Sequence, residues 1–216
     1  MSKDQTTYMK NPMGIEKRSF EIIESEWGDR AFDEATALVV KRVIHTTADF
    51  EYADLLDFHP DAIASGIKAL QEGSDIYADT NMVMAGINKK KLAQLGGRAY
   101  HHVHEPDVAT EAKQRQITRS MVAIEKACHD RNTKIFAIGN APTALFTLIE
   151  QIDAGAVKPD LIVGVPVGFV GAEESKEALR KLDIPYIVVR GRKGGSPVAA
   201  TILNALLYQI DNERGW

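Results

Sequence analysis

A glycine-rich loop late in the chain is the segment whose residue types most directly indicate chemistry. Residues 190–197 contain three glycines, three cations (Arg190, Arg192 and Lys193) and a serine, and they lead into a helical pattern. Glycines let backbone N–H groups approach a ligand closely, and the amino end of a helix favours an anion. The residues therefore predict an anion-binding loop, although a tight turn with solvated cations explains them equally well.

Arg42 and His45 form a second candidate group, because residues three apart in a helix share one face. A histidine there can donate or accept a proton near neutral pH, and a bound carboxylate would offset the charge of the arginine. On spacing alone, a partly buried histidine bonded to a backbone carbonyl is the favoured interpretation. Ser19 and Arg119 lie in helical patterns and carry no chemical signal of their own.

A dinucleotide site is a weak interpretation of the loop at 164–171. Its glycines stand at 164, 168 and 171, which is not the G-x-G-x-x-G spacing, and Arg190 rather than an acidic residue ends the next strand. A bent connection between a strand and a helix, with close backbone packing, is favoured.

The histidine run at 101–104 is the remaining candidate cluster. If this segment is a strand, His102 and His104 share a face and can begin a metal site, with Glu105 or Asp107 as further ligands. No second ligand cluster is evident, so a polar strand end is favoured and no metal is assigned.

Alternating strand and helix patterns predict the scaffold that positions these residues. Strands are predicted at 75–79, 98–104, 133–139, 160–165 and 185–190, and the last three are the nearly continuous apolar runs expected of strands covered on both faces. Helices are predicted from Pro12, after Asp33, and at 60–73, 106–131, 142–154, 172–182 and 197–210. The pattern predicts an α/β fold, with a doubly wound, mainly parallel sheet flanked by helices and a helical N-terminal region. Ligands of such folds bind beyond the carboxyl ends of the strands, which indicates the loops 139–143, 164–171 and 190–197.

Composition limits the alternatives. The chain has 216 residues, of which 44% are apolar and 26% charged, so we expect a flexible arm at 1–10 and a single domain at 11–216. A net charge of −4 argues against a nucleic-acid partner. No stretch approaches the roughly 20 apolar residues of a membrane span, and the polar start is not a secretory signal. The one cysteine, Cys128, permits no internal disulfide, and we expect a cytoplasmic protein.

These residues resemble the precorrin-8X methylmutase family, which includes the cobalt-precorrin-8 methylmutases. The resemblance extends from about Pro12 to Leu206 and is carried by the segments RSFEII (18–23), RVIH (42–45), AIGNAPTALF (137–146), GVPVGFVGAEESK (164–176) and VRGRKGGS (189–196). The longer blocks are specific, whereas the short Arg-x-x-His motif has no value alone.

The resemblance implies an isomerase of cobalamin biosynthesis. A methyl group would migrate from C11 to C12 of (cobalt-)precorrin-8, giving hydrogenobyrinate or cobyrinate, without a redox cofactor or a catalytic metal. The family's catalytic histidine falls on His45, and its substrate contacts fall on Ser19, Arg42 and Arg119. The resemblance also implies a homodimer and a tetrapyrrole substrate, whose carboxylates Arg42, Arg119 and the loop 190–196 would bind.

Two other classes of function stay open at this point. One is a tetrapyrrole-binding or carrier protein without catalysis, against which the presence of His45 argues. The other is a nicotinamide-dependent oxidoreductase on a similar fold, against which the glycine spacing argues.

Overall fold

The computed structural model describes residues 10–211, so most of the predicted N-terminal arm and the last five residues lie outside the described part. In chain order, the elements are α1 (Pro12–Ser25), α2 (Glu34–Thr47), α3 (Tyr52–Leu55), β1 (Leu56–Phe58), α4 (Ala62–Gln71), β2 (Asp75–Ala78), α5 (Asn81–Gly86), α6 (Lys89–Gln94), β3 (Ala99–Tyr100), α7 (Pro106–Arg115), α8 (Arg119–Cys128), β4 (Thr133–Ile138), α9 (Pro142–Asp153), β5 (Leu161–Gly164), α10 (Ala172–Leu179), β6 (Tyr186–Val189) and α11 (Ser196–Ile210).

The strands form a six-stranded sheet in the order β1-β6-β5-β4-β2-β3. Strands β2 to β6 pair in parallel, and only β1 is antiparallel to its neighbour, β6. The predicted α/β fold with a mainly parallel sheet is therefore confirmed. The parallel strands end at one edge, called here the carboxyl edge, and the helices that follow them begin there.

Alternation of side chains along each strand builds two apolar layers. In β4, Ile135 and Ala137 join the core beneath α1 to α6 and α11, whereas Phe136 and Ile138 join the core beneath α7 to α10. Both faces of the central strands are thus covered, which explains why their sequences are continuous apolar runs rather than alternating ones.

The helix starts predicted at Asn11 and Asp33 are confirmed. The Asn11 side chain accepts a hydrogen bond from the backbone N–H of Met13 at 3.1 Å, and Pro12 occupies the first turn of α1. The Asp33 carboxylate accepts from the backbone N–H of Thr36 at 3.1 Å and from its hydroxyl at 2.6 Å. These bonds satisfy N–H groups that have no partner within the helix.

The prediction of one continuous helix over 106–131 is wrong. α7 ends at Arg115, Gln116 adopts a left-handed conformation (φ 55°), and Thr118 caps the new helix α8. Apolar residues continue at helical spacing across this break, so periodicity alone could not reveal it. Arg119 consequently begins a helix instead of lying in the middle of one.

Two further predictions need correction, one for a strand and one for the helical N-terminal region. β3 ends at Tyr100, so the histidines at 101–104 follow the strand and do not alternate across it. Within the N-terminal region, which the sequence indicated to be helical, Leu56–Phe58 forms β1 through pairing with β6. A three-residue strand has too few positions to produce a periodic signal.

Close backbone packing at Gly194 generates a test of the fold. Gly194 has φ 147°, and a Cβ there would overlap the carbonyl oxygen of Val165 in the neighbouring loop. We expect Gly194→Ala to lower the free energy of unfolding by about 3 kcal/mol or more, combining backbone strain with displacement of that carbonyl.

Gly191→Ala is the matched control in the same loop. Gly191 has φ 71°, but open space surrounds its Cβ position, so we expect a loss of only about 1–2 kcal/mol. Chemical denaturation measures both variants, and equal losses would contradict the packing argument.

Candidate active site

His45 lies at the carboxyl edge, near the end of α2. Helix α11 begins at this edge because it follows β6, and the hydroxyls of Thr46 and Thr201 lie 2.9 Å apart near its start. The opposite ends of the two helices also meet, since the Gln209 side chain donates to the carbonyl of Ala35 at 3.2 Å. α2 therefore runs antiparallel to α11 and delivers an exposed His45 to the edge where ligands of such sheets bind.

The aromatic ring of Phe20 contacts the side chains of both His45 and Arg42. The Phe20 ring is buried in α1, and its centroid lies 5.2 Å from that of the His45 imidazole. The Arg42 guanidinium carbon lies 5.3 Å from the Phe20 centroid and 4.7 Å from that of Tyr208 in α11. In the sequence, Phe20 appears only as part of the segment RSFEII (18–23), so its contact with both candidate side chains was missed.

Arg42 is largely buried, with 8% of its surface exposed. One of its nitrogens, Nη1, lies 3.5 Å from Oε1 of Glu16 in α1. Two aromatic rings and a carboxylate thus hold the guanidinium in one orientation. The structure brings Arg42 and His45 of α2 together around Phe20, and Ser19 is the residue that precedes Phe20 in α1. The hydroxyl of Ser19 donates to the carbonyl of Ile15 at 2.9 Å and keeps its own oxygen as an acceptor.

Arg119 belongs to the opposite face of the sheet. It is the exposed first residue of α8, and the neighbouring Thr118 hydroxyl lies 3.0 Å from that of Thr143 in the first turn of α9. Because α9 follows β4, Arg119 also lies at the carboxyl edge. It shares the edge with His45 without joining the group around Phe20.

The three cations of the loop 190–197 have different surroundings. Lys193 forms ion pairs with Asp49 and Glu51, and these partners raise the pKa of its ammonium. Arg190 donates to the carbonyl of Asp54. The Arg192 guanidinium is exposed and stacks over the ring of Phe169, at 5.5 Å from its centroid. Arg190 and Arg192 are thus the exposed cations of the predicted anion-binding loop, and Arg190 is held by a backbone carbonyl.

Exposed apolar side chains lie in the segments that follow β5 and β2 at the carboxyl edge, and one of them, Phe169, contacts Arg192. Phe169 is 83% exposed and Val170 is 89% exposed, both in the loop that follows β5. Met82, after β2, is 67% exposed. Large apolar side chains exposed together are typical of a surface that binds an apolar ligand or partner. In the sequence, only the glycines around Phe169 and Val170 mark this segment.

Asp79 is a further buried residue that the sequence interpretation missed. It follows β2, and its carboxylate accepts hydrogen bonds from the backbone N–H groups of Gly139, Asn140 and Ala141 at 3.0, 2.8 and 2.8 Å. Burial raises the pKa of the carboxyl, and the three N–H donors partly oppose that effect. The available signal was a polar residue that ends an apolar strand at the carboxyl edge.

The histidine run and the cysteine form a separate region. His102 Nδ1 lies 2.7 Å from Glu105 Oε1, and the rings of His101 and His104 meet edge to face at 5.3 Å. Across residues 10–211, no group of three or more His, Cys, Asp or Glu side chains is arranged to hold a metal ion. Burial raises the pKa of the Cys128 thiol to about 12, which keeps it protonated and unreactive.

Two further structural findings bear on function. Close packing in the segment 164–171 occurs at Gly164, the last residue of β5, where a Cβ would lie 2.7 Å from a methyl carbon of Leu179. The favoured interpretation of the glycines thus holds for Gly164, whereas Gly168 and Gly171 have no neighbour closer than 3.4 Å to a Cβ position. In addition, none of the described helices has the length and apolar character that crossing a membrane requires.

Comparison with known proteins gives consistent matches over nearly the whole chain. The family model of precorrin-8X methylmutase (CbiC) matches residues 14–209. The cobalt-precorrin-8 methylmutase of Priestia megaterium is 46% identical over 201 residues, covering 93% of this chain and 89% of the relative. The precorrin-8X methylmutase of Pseudomonas aeruginosa is 41% identical, covering 92% of this chain and 96% of the relative. Among solved structures, the precorrin-8X methylmutase of Thermus thermophilus superposes with a TM-score of 0.84 at 37% identity, covering 92% of this chain and 98% of that one.

Proposed function

This chain belongs to the precorrin-8X methylmutase family, and we propose that it moves a methyl group from C11 to C12 of (cobalt-)precorrin-8 with His45 as proton donor and acceptor. The enzyme is an isomerase of cobalamin biosynthesis. The position of an exposed His45 at the carboxyl edge, stacked on Phe20, is the observation that carries the histidine role.

The proposed reaction leaves the composition of the substrate unchanged. The bond from the methyl group to C11 breaks, a bond to C12 forms, and the double bonds of the macrocycle rearrange. Protonation of the conjugated ring by His45 draws electron density away and eases the migration. The same imidazole then takes the proton back, so that enzyme and proton count are restored at the end of the cycle. The step requires neither an oxidant nor a reductant.

Ser19 and Arg42 are proposed to contact the substrate on the side of His45. The Ser19 oxygen can accept a hydrogen bond, since its own proton is directed to Ile15. Arg42 is oriented before substrate arrives, because Glu16 and two aromatic rings already hold its guanidinium. Binding at such a preorganised cation requires little rearrangement of the protein.

Arg119 and Arg192 are proposed to bind peripheral carboxylates of the substrate. Both are exposed at the carboxyl edge, and their guanidinium groups match the planar geometry of carboxylates. The apolar side chains of Phe169 and Val170 next to Arg192 suit the face of a macrocycle rather than its charged rim. A site of this kind supports a flat, largely apolar substrate with acidic substituents.

The homodimer and the cytoplasmic location are likewise proposals. Ile15 and Ile22 lie two helical turns apart on α1 and remain 46% and 42% exposed, which supports a subunit contact along this helix. We expect sedimentation of the purified protein at micromolar concentration to give twice the monomer mass, and a monomer would contradict the proposal. Cell fractionation tests the location.

Replacement of His45 tests its role directly. We expect His45→Gln to slow methyl migration by about 10²- to 10⁴-fold, because that is the contribution of a positioned general acid and base. The change in visible absorption upon mixing with precorrin-8X, and separately with cobalt-precorrin-8, measures the rate for each substrate form. Binding of either form should persist in the variant.

His129→Gln is the control for this experiment. His129 is exposed at the end of α8, which lies at the edge of the sheet opposite to His45. We expect the control to retain full activity. An active His45→Gln enzyme would exclude the proposed proton transfer, and binding without turnover in the wild type would instead favour a carrier protein.

Replacement of Arg119 tests carboxylate binding. We expect Arg119→Gln to raise KM by about 10- to 100-fold, corresponding to the roughly 1.5–3 kcal/mol of a charge-assisted hydrogen bond, with a smaller change in kcat. Arg131→Gln is the control, since Arg131 is exposed just before β4 at the opposite edge. Equal KM values for the two variants would remove Arg119 from the site.

A further inference from the structure

Lys193 connects the segment after His45 to the glycine-rich loop. Its ammonium lies between the carboxylates of Asp49 and Glu51, at 2.7 Å from Glu51 Oε2. Both carboxylates belong to the connection between α2 and α3, and Ala48 ends α2 immediately before them in a left-handed conformation (φ 53°). The Asp49 carboxylate also accepts from the backbone N–H of Glu51 at 2.9 Å, which closes a tight turn.

The same residue is held through its main chain from the other face of the sheet. The carbonyl of Lys193 accepts a hydrogen bond at 2.9 Å from Nζ of Lys176, a fully buried side chain of α10. Nearby, the Tyr52 ring centroid lies 5.7 Å from Nζ of Lys193, and the Tyr52 hydroxyl is 3.5 Å from the carbonyl of Gly194. The four residues Lys176, Lys193, Asp49 and Glu51 therefore form a continuous link across the carboxyl edge, called here the lysine link.

We infer that Lys193 is a positioning residue, which fixes the end of α2, and with it the His45 imidazole, against the glycine-rich loop. This assignment rests on the proposed function of His45. It replaces the interpretation, drawn from the sequence, in which Lys193 binds a substrate carboxylate. Two carboxylates already occupy donors of this ammonium and offset its charge, so it attracts a third carboxylate only weakly.

The position of the His45 imidazole matters because proton transfer depends on a short distance and a good alignment between the imidazole and the substrate. A displacement of about 1 Å at a catalytic group can lower a rate by up to roughly 100-fold. His45 is four residues before Asp49, so release of the turn at Asp49 acts on the last turn of the helix that carries the imidazole. A positioning role consequently predicts a loss in kcat, whereas a substrate ligand predicts a rise in KM.

A double-mutant cycle separates these two roles. The variants are Lys193→Met, the pair Asp49→Asn with Glu51→Gln, and the three changes combined. If the lysine link positions His45, we expect Lys193→Met and the Asp49→Asn/Glu51→Gln pair each to lower kcat by about 10-fold with little change in KM. The protein with all three changes should be no slower than either variant, because every variant removes the same interaction. Lys193→Arg should restore kcat, since a guanidinium can also bridge two carboxylates.

The substrate-ligand interpretation predicts the opposite pattern. Lys193→Met would raise KM by about 10-fold or more, and removal of the two carboxylates would free the ammonium and lower KM. That outcome would overturn our inference. Lys181→Met is the control: Lys181 is exposed just after α10, away from the link, and we expect unchanged kcat and KM.

A spectroscopic measurement keeps this test independent of catalysis. In protein labelled with ¹³C-histidine, the resonance that disappears in His45→Gln identifies the His45 imidazole among the six histidines. We expect Lys193→Met, but not Lys181→Met, to shift or broaden it. An unmoved resonance in folded Lys193→Met and Lys193→Gln proteins would refute the positioning role. A moved resonance with unchanged kcat would preserve it and would instead contradict the catalytic role of His45.

Discussion

A buried carboxylate organises the carboxyl edge on which the proposed site depends. Asp79 ends the apolar strand β2 and receives three backbone N–H groups from the loop after β4. A carboxylate removed from water is tolerated only when such donors replace its hydration. The neighbouring Thr80 hydroxyl lies 3.2 Å from that of Ser196, and the N–H of Gly195 donates to the carbonyl of Val165 at 2.8 Å. The loops after β2, β4, β5 and β6 are thereby joined into one surface, which is ordered before any ligand binds.

Such an edge explains why the catalytic candidates can be contributed by helices rather than by the strand ends. His45 and Arg42 share one helix, and Phe20 from α1 contacts both of them. An aromatic ring that contacts both an imidazole and a guanidinium restricts the orientation of each side chain. Glu16, close to Arg42, partly balances the charge of that arginine.

The sequence predicted the central strands because strands covered on both faces carry continuous apolar runs, as at 133–139 and 160–165. It predicted the caps at Asn11 and Asp33 because their partners are two or three residues away. It missed β1, whose three residues become a strand only by pairing with β6, about 130 residues later in the chain. It could not predict the ion pairs of Lys193, since Asp49 and Glu51 precede that lysine by 144 and 142 residues. Strands and helix caps could therefore be predicted from neighbouring residues. Which of the three loop cations forms ion pairs within the protein could not, because those pairs join distant segments of the chain.

The distribution of charge reconciles an acidic protein with an acidic substrate. The chain carries a net charge of −4, so the protein as a whole does not attract carboxylates. Attraction must come from positively charged groups at the site itself. At the carboxyl edge, Lys193 is neutralised by its two carboxylates, while Arg119 and Arg192 remain exposed. Those two arginines come from different elements, the start of α8 and the loop after β6, so they can engage separate parts of the rim of one large ring. With the apolar side chain of Phe169 beside Arg192, such a surface suits the proposed macrocycle, which has apolar faces and an acidic rim. A compact anion such as phosphate would instead need its charges bound at one point.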